Sequence, residues 1–402
     1  EEFAASLPYD ILDSTKLIPE ELVPIEIVGR MTLDRNPDNF FAETEQVAFC
    51  PQNVVPGIEF SNDPLLQGRL FSYLDTQKSR LGTANFHQIP INAPKCPYAN
   101  FQRDGMMQTK VPKGRANYEP NSLGEAGELT GPRACPEEGF VTFEENGERN
   151  DPTAKLRARP ELFGDHYSQA RMFFRSQTDI EQAHIASAIV FELSKVSLPH
   201  IRQAMVANLR NVDEELAKRV ADGLAIDLPA KAEPARKVIE LDESPALSIV
   251  KNKKDTLEGR TVGILFAEGS SASDIKAVKA AVEKAGGKAM TIAPKVGGIK
   301  LDTGSMEADG QLAGTPSCTV DAIALILTED AAKKLSMDGA AVQFAMDAFG
   351  HLKAIGHDAQ AKPLLDKAGV EPDEGVTDLG DAFVKAAAKR FYEREPKVRM
   401  LA

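Results

Sequence analysis

Apolar residues recur along this chain with two different periods, and the places where the period changes divide it. In VPIEIVGRMTL, residues 23–33, β-branched and apolar residues partly alternate with polar ones, which predicts a strand, and RNPDN after it predicts a turn. TEQVAFCPQNVVPGIEF continues in short apolar pieces broken by Pro and Gly. Residues 1–60 thus read as strand and loop. Two or three short strands do not close a domain, so their sheet partners are expected outside this chain. Residues 64–81 predict a helix: Asp63 suits the N-cap, Pro64 the first helical position and Gly82 the stop. Residues 83–165 lose sustained periodicity and are rich in Pro, Asn and Gly. A stretch this long without elements is uncommon inside a compact domain. It is expected to wrap over other domains or subunits, using Phe86, Tyr98, Phe101 and Tyr118.

Helical spacing returns in TDIEQAHIASAIVFELSKV, residues 178–196. A capping box, Thr178 to Glu181, opens it, and Ile185, Ile189 and Leu193 follow at helical intervals. SLPHIRQAMVANLRNV and VDEELAKRVADGLAI extend this to a small helical unit ending near Ile226. His184 and His200 within it read as ordinary packing or surface residues. Residues 227–258 are polar and rich in Pro, Ala and Lys, so they read as a linker. From 259 onward strands and helices alternate: GRTVGILFAEG, SASDIKAVKAAVEKAGG, KAMTIAPK, DAIALILT, GAAVQFAMDAFGHL, KAIGH and a final helix in LGDAFVKAAAKRFYERE. That alternation predicts a doubly wound parallel sheet.

Composition narrows the function classes. The 402 residues suffice for two or more domains and a large core, and 42% hydrophobic with 27% charged residues is ordinary for a soluble globular protein. A formal net charge of −13 argues against general nucleic-acid binding. No apolar run reaches the ~18 residues of a membrane span. Cys50, Cys96, Cys135 and Cys318 are scattered without CxxC pairing, which suits neither a zinc module nor a disulfide scaffold. Cys96, Cys135 and Cys318 read as inert thiols in a reducing compartment, which favours a cytoplasmic setting. The chain starts EEFAASLPYD, without Met or a signal pattern, so either its start was removed or it is part of a longer polypeptide.

The helix at 64–81 carries an unusual stripe. At ~100° per residue, Tyr73 lies about 40° from Arg69, Gln77 about 80°, Arg80 about 20° and Leu66 about 60°. A solvated amphipathic face is one explanation. The other starts from Arg69 and Tyr73 at i and i+4. A guanidinium beside a phenol favours phenolate, a hard anionic donor suited to ferric iron. Arg80, ~16 Å further along the axis, suits a carboxylate of a large flat ligand.

RLFSYLDTQKSRLG, with DRNPDNFFAETEQ upstream and NFHQIPIN downstream, resembles the proximal-haem region of haem catalases, and the likeness runs over roughly residues 8–226. Tyrosine is the established haem ligand of that family. The resemblance implies Tyr73 as axial ligand of a haem (b or d) and Arg69 as the partner that keeps it ionised. It implies Arg80 at a haem propionate, and Leu65 and Ser72 on the proximal haem face. Gln77 stands where large-subunit catalases have Gln and many smaller ones have His. Cys50, in AFCPQN and 23 residues before Tyr73, occupies a position that in some large-subunit catalases is tied covalently to the ligand tyrosine.

The implied architecture is α+β and multidomain. Residues 1–82 would be part of the catalase β-barrel with the proximal helix, 83–165 the wrapping segment, 166–226 the helical domain and 227–258 the linker. Residues 259–402 would be a flavodoxin-like domain, similar to class I glutamine-amidotransferase-like proteins. In that superfamily a Cys commonly follows a strand about where KAIGHDAQ stands; here none does, and Cys318 lies in GTPSCTVDAI. The domain is therefore expected to be structural, His357 lacking a nucleophile, and no glycine-rich phosphate loop follows GILFAEG.

The implied activity is dismutation of hydrogen peroxide to water and oxygen through an oxo-ferryl intermediate, in a homotetramer. The distal His, Asn and Ser of the family come from an N-terminal half that this chain does not contain. They would have to come from a missing segment or from an N-terminal catalase fragment as a separate chain. The alternative is a non-catalytic catalase-like protein acting as an assembly scaffold or partner-binding module.

Overall fold

The computed structural model describes residues 2–54, 58, 60–93, 95, 108–109, 111 and 161–401. Most of the expected wrapping segment, with Cys96, Tyr98, Phe101, Tyr118 and Cys135, lies outside them. The chain divides into two units, Glu1–Asp165 and His166–Ala402.

In the first unit a short helix α1 (Glu2–Ser6) precedes the long helix α2 (Pro64–Leu81). Asp63 Oδ1 accepts the N–H groups of Leu65 at 2.8 Å and Leu66 at 3.4 Å, Pro64 fills the first turn, and Gly82 ends the helix at φ 82°. A residue with a Cβ is strained at that angle, so the stop is chemical. The strand expected over 23–33 does not form. Among the described residues it joins no ladder; the Val23 N–H turns back to Pro19 O at 3.0 Å, and Ile27 and Val28 are 92% and 98% exposed. Alternation prepares a strand, but a ladder needs a neighbour to complete it. The partial barrel expected in residues 1–82 is accordingly not formed here. FAETE, residues Phe41–Glu45, winds instead into one π-helical turn.

The second unit opens with four helices, α3 (Ser168–Ser176), α4 (Asp179–Ser194), α5 (Pro199–Val212) and α6 (Glu214–Gly223). Phe174, Ala186, Val206, Leu209, Leu216 and Val220 form their core. Helix α3 is too short for its period to stand out, and the sequence did not reveal it. The capping box is present: Glu181 accepts the N–H of Thr178 at 2.9 Å, and Thr178 Oγ1 accepts the N–H of Glu181 at 3.4 Å.

The polar run expected as a linker is an ordered strap on these helices. Glu240 pairs with Arg171 and with Arg175, and Ser176 Oγ accepts the N–H of Ser244 at 2.8 Å. Glu181 also accepts from Ser248 Oγ at 2.7 Å and the N–H of Val250 at 3.0 Å. One carboxylate therefore serves both the helix start and the strap. Composition reports polarity, and here polar groups do the packing.

The α/β part matches its expectation. Strands β1 (Thr261–Phe266), β2 (Lys288–Ala293), β5 (Gly310–Gln311), β6 (Ala322–Ile326), β7 (Ile355–His357) and β8 (Val376–Asp378) form a parallel sheet in the order β5-β2-β1-β6-β7-β8. A two-stranded antiparallel ribbon, β3 (Ile299–Lys300) and β4 (Ser305–Met306), interrupts the crossover to β5. The helices are α7 (Ala272–Lys284), α8 (Glu329–Leu335), α9 (Gly339–Gly350), α10 (Lys362–Lys367), α11 (Asp381–Ala387) and α12 (Glu395–Val398). Successive strand residues feed opposite faces. Leu265, Ile323, Leu325 and Ile355 enter one core, and Val262, Ile264, Ala324 and Ile326 the other. Gly356 on β7 admits Phe383 of α11, whose ring atoms would stand 2.6 Å from an added Cβ.

The final helix is shorter than expected because tertiary bonds outcompete its continuation. After α11, Arg390 donates to Asp321, and the N–H of Phe391 donates to Leu352 O. The Arg394 side chain is fully buried and donates to both carboxylate oxygens of Asp373, at 2.7 and 2.8 Å, and to Phe349 O and Lys353 O. Its guanidinium also lies 4.1 Å from the Phe349 ring centroid.

Two outcomes follow for stability. Asp373→Asn leaves Arg394 buried without its counter-charge. The expected loss is about 3 kcal/mol, the low end for breaking a buried pair, because Asp373 is 22% exposed; urea unfolding of the two proteins measures it. Burial raises the Glu181 pKa, but the hydrogen bonds from Thr178, Ser248 and Val250 outweigh it and hold the carboxyl below its ordinary range. A depressed carboxylate stabilises fully above its unfolded pKa and loses that contribution as pH falls through the folded value. Glu181→Gln should therefore lower the melting temperature at pH 7, and the gap from wild type should close in the acid range below about pH 4.

Candidate functional site

The stripe on α2 is assembled as its spacing requires. Arg69 Nη2 donates to the Tyr73 hydroxyl at 3.2 Å, and its Cζ sits 4.8 Å from the ring centroid. The cation thus touches both the oxygen and the ring face of the phenol. Both side chains are half-buried. The Phe49 and Tyr73 rings also meet in an edge-type contact, with centroids 5.9 Å apart and planes at 67°.

The far end of the stripe is used differently. Gln77 is 5% exposed, and its Nε2 donates to Phe49 O at 3.4 Å. Arg80 donates to Gln77 Oε1 at 2.6 Å and to the backbone carbonyls of Glu45 and Val47. In this structure Gln77 and Arg80 therefore hold the chain 45–49 against the helix. Leu65 and Ser72, on the opposite edge of the stripe, are exposed and make an open face beside Tyr73.

Residues 45–49 belong to no sheet. From the other side Asn92 secures them: its Oδ1 accepts the N–H of Ala48 at 2.7 Å, and its Nδ2 donates to Gln46 O at 2.8 Å and Phe86 O at 3.1 Å. Sequence reading did not single out Phe49 or Asn92. The available signal was Asn92 closing NFHQIPIN. Cys50 follows Phe49 directly and is a half-buried free thiol.

Among the described residues no group of three or more His, Cys, Asp or Glu side chains is placed to hold a metal ion. The Tyr73 oxygen with its Arg69 donor is a single oxygen ligand position. That suits a metal bringing its other donors with it, as haem iron does. The open Leu65–Ser72 edge suits a flat ring.

The second unit offers no comparable site at the position weighed for a nucleophile. After β7, Asp358 accepts the N–H groups of Leu327 at 2.8 Å and Ala361 at 2.9 Å, so the turn holds a structural carboxylate. Burial raises its pKa against those hydrogen bonds. His357 Nδ1 lies 3.0 Å from Asp358 O, and Cys318, just before β6, is at the opposite end of the parallel strands. His184 contacts Glu395 Oε1 at 3.0 Å, a packing role, and His200 is exposed. No described helix is long and apolar enough to cross a membrane.

Comparison with known proteins accounts for most of the chain. Residues 1–125 match the catalase family, 160–224 the catalase-related immune-responsive family, and 258–394 the C-terminal domain found in long catalases. Catalase C of Rhizobium meliloti (strain 1021) is 50% identical over 414 residues, covering 100% of this chain and 57% of that protein. Catalase HPII of Pseudomonas putida is 43% identical over 396 residues, with 96% and 55% covered, and Catalase-B of Dictyostelium discoideum 42% over 410, with 99% and 58%. The chain spans about half the length of the curated relatives it matches. With its α2 stripe and appended parallel α/β domain, the chain belongs to the large-subunit catalase family.

Proposed function

We propose that this chain supplies the proximal half of a haem catalase site and that Tyr73 is the axial ligand of the iron. The contact of Arg69 with the Tyr73 hydroxyl at 3.2 Å carries this reading. The family match supports haem as the cofactor and hydrogen peroxide as the substrate. Bound haem supplies the iron redox chemistry by which one peroxide is reduced to water and another oxidised to oxygen. The chain's own residues do the rest. Tyr73 contributes an anionic oxygen, and Arg69 balances that charge while filling one side of the ring. Leu65 and Ser72 present the open face on which a macrocycle would lie. Gln77 and Arg80 keep the covering chain in place, and Arg80, which spends three of its five N–H donors on that chain and on Gln77, would offer the others to a propionate.

Proton transfer on the other face requires residues outside this chain, so activity belongs to an assembly that includes the N-terminal half found in the relatives, in a homotetramer. Cys50 adds a further element, a thioether to Tyr73. Its formation replaces the thiol S–H and one C–H of the Tyr73 side chain by a C–S bond, with one peroxide accepting the two electrons and two protons to become two waters.

Tyr73→Phe is expected to abolish haem retention; a variant with an unchanged Soret band and full oxygen evolution would overturn the ligand assignment. Arg69→Leu should keep the phenol but weaken haem binding by about 10-fold or more, read by haem titration. Peptides containing Cys50 and Tyr73 should appear in mass spectra as one linked species, lighter than their sum by two hydrogens; two separate peptides of full mass would remove the thioether. A Soret band without oxygen evolution in the presence of the N-terminal half would favour the scaffold reading.

A further inference from the structure

We infer that Asn92 is a positioning residue for the Tyr73 ring, acting through the chain 46–49. This rests on Tyr73 being the haem ligand. The backbone of residues 46–49 joins no helix and no ladder. A segment of that kind is held only where its N–H and C=O groups find side chains. Arg80 and Gln77 hold it to α2, the helix that carries Tyr73. Those bonds alone leave the segment free to rock with long side chains as its tethers. Asn92 removes that freedom, because it belongs to a third element, after the single 3-10 turn Phe86–Gln88. Its short side chain engages both the carbonyl of Gln46 and the N–H of Ala48, and ties them to Phe86 O. The residue after Ala48 is Phe49, whose ring edge rests on Tyr73.

The chemistry of Asn is specific to this task. One side chain must accept from Ala48 and donate to two carbonyls at once, and a primary amide joins an acceptor oxygen to two N–H donors, where a hydroxyl has one donor. Asp keeps the acceptor and loses the donors; Leu keeps the volume and loses all three bonds. Loss of the clamp frees Phe49 to withdraw. The Tyr73 ring then keeps its contact with Arg69 and loses its edge-type contact with Phe49. An axial ligand that rotates about its bond to the chain gives a spread of metal–oxygen geometries, and catalysis is sensitive to displacements of this kind.

The test uses the haem-loaded protein assembled with its N-terminal half, comparing wild type, Asn92→Asp and Asn92→Leu. Resonance Raman bands of metal-bound tyrosinate should broaden in Asn92→Leu and change less in Asn92→Asp. Turnover should fall about 10-fold in the Leu variant with KM for peroxide unchanged. Hydrogen exchange in the haem-free chain should show the Ala48 amide protected in wild type and in Asn92→Asp, and unprotected in Asn92→Leu. A folded Asn92→Leu protein with wild-type tyrosinate bands and turnover overturns the inference. Should the Leu variant not fold, wild-type bands and turnover in Asn92→Asp overturn it. Wild-type protein that binds haem without any tyrosinate band instead defeats the ligand assignment of Tyr73, while protection of Ala48 still reports whether the clamp exists.

Discussion

Backbone that joins no helix and no sheet still has polar groups to satisfy, and the first unit is organised by that constraint. Residues 46–49 run along α2, with the carbonyls of Gln46, Val47 and Phe49 met by Asn92, Arg80 and Gln77. A net hydrogen bond contributes only about 1 kcal/mol, and one to a charged group somewhat more, yet leaving the partner unmet inside the structure costs more than the bond gains. Breaking one tether therefore exposes a carbonyl or N–H as well as loosening a loop. The same helix that presents Tyr73 also holds its cover. Of the four stripe residues, Arg69 and Tyr73 contact each other, and Gln77 and Arg80 hold the chain that carries Phe49.

The second unit answers the same constraint by regular means. Its parallel sheet satisfies its own backbone, so the side chains are free to be apolar on both faces. The exceptions lie where the chain leaves regular structure. Arg394 gathers the carbonyls of Phe349 and Lys353 and the carboxylate of Asp373 after α11 ends. Lys353 does likewise for Ser317 O and Val320 O, at 2.7 and 2.6 Å. Asp358 caps the turn after β7. At that turn a carboxylate is occupied with two backbone N–H groups.

Where local chemistry decides the structure, it was legible in the sequence. Asp63, Pro64 and Gly82 bound α2 because caps and stops act over a few residues. Thr178 and Glu181 formed their capping box for the same reason. The alternation of periods from residue 259 disclosed the sheet, since buried strands and amphipathic helices differ in pattern. Legibility failed where distant partners decide. Residues 23–33 alternate correctly and stay unpaired, because pairing is a property of a neighbour. The run 227–258 looked like a linker because pattern cannot show that Glu240 meets Arg171. At the site, i to i+4 spacing foretold the contact of Arg69 with Tyr73. No spacing rule connects Asn92 with Ala48 across 44 positions.

The strap gives the second unit an unusual response to cutting. Its anchors at Ile239, Glu240, Ser244, Ser248 and Val250 bind the helical bundle at points separated by 65 to 71 positions of chain. A protease that nicks one exposed bond between anchors severs the covalent link without dissolving these contacts. The two pieces then remain associated as a nicked complex, separating only when denaturant or acid releases the carboxylates. A chain that looks continuous only through its polypeptide is here also joined by its polar side chains.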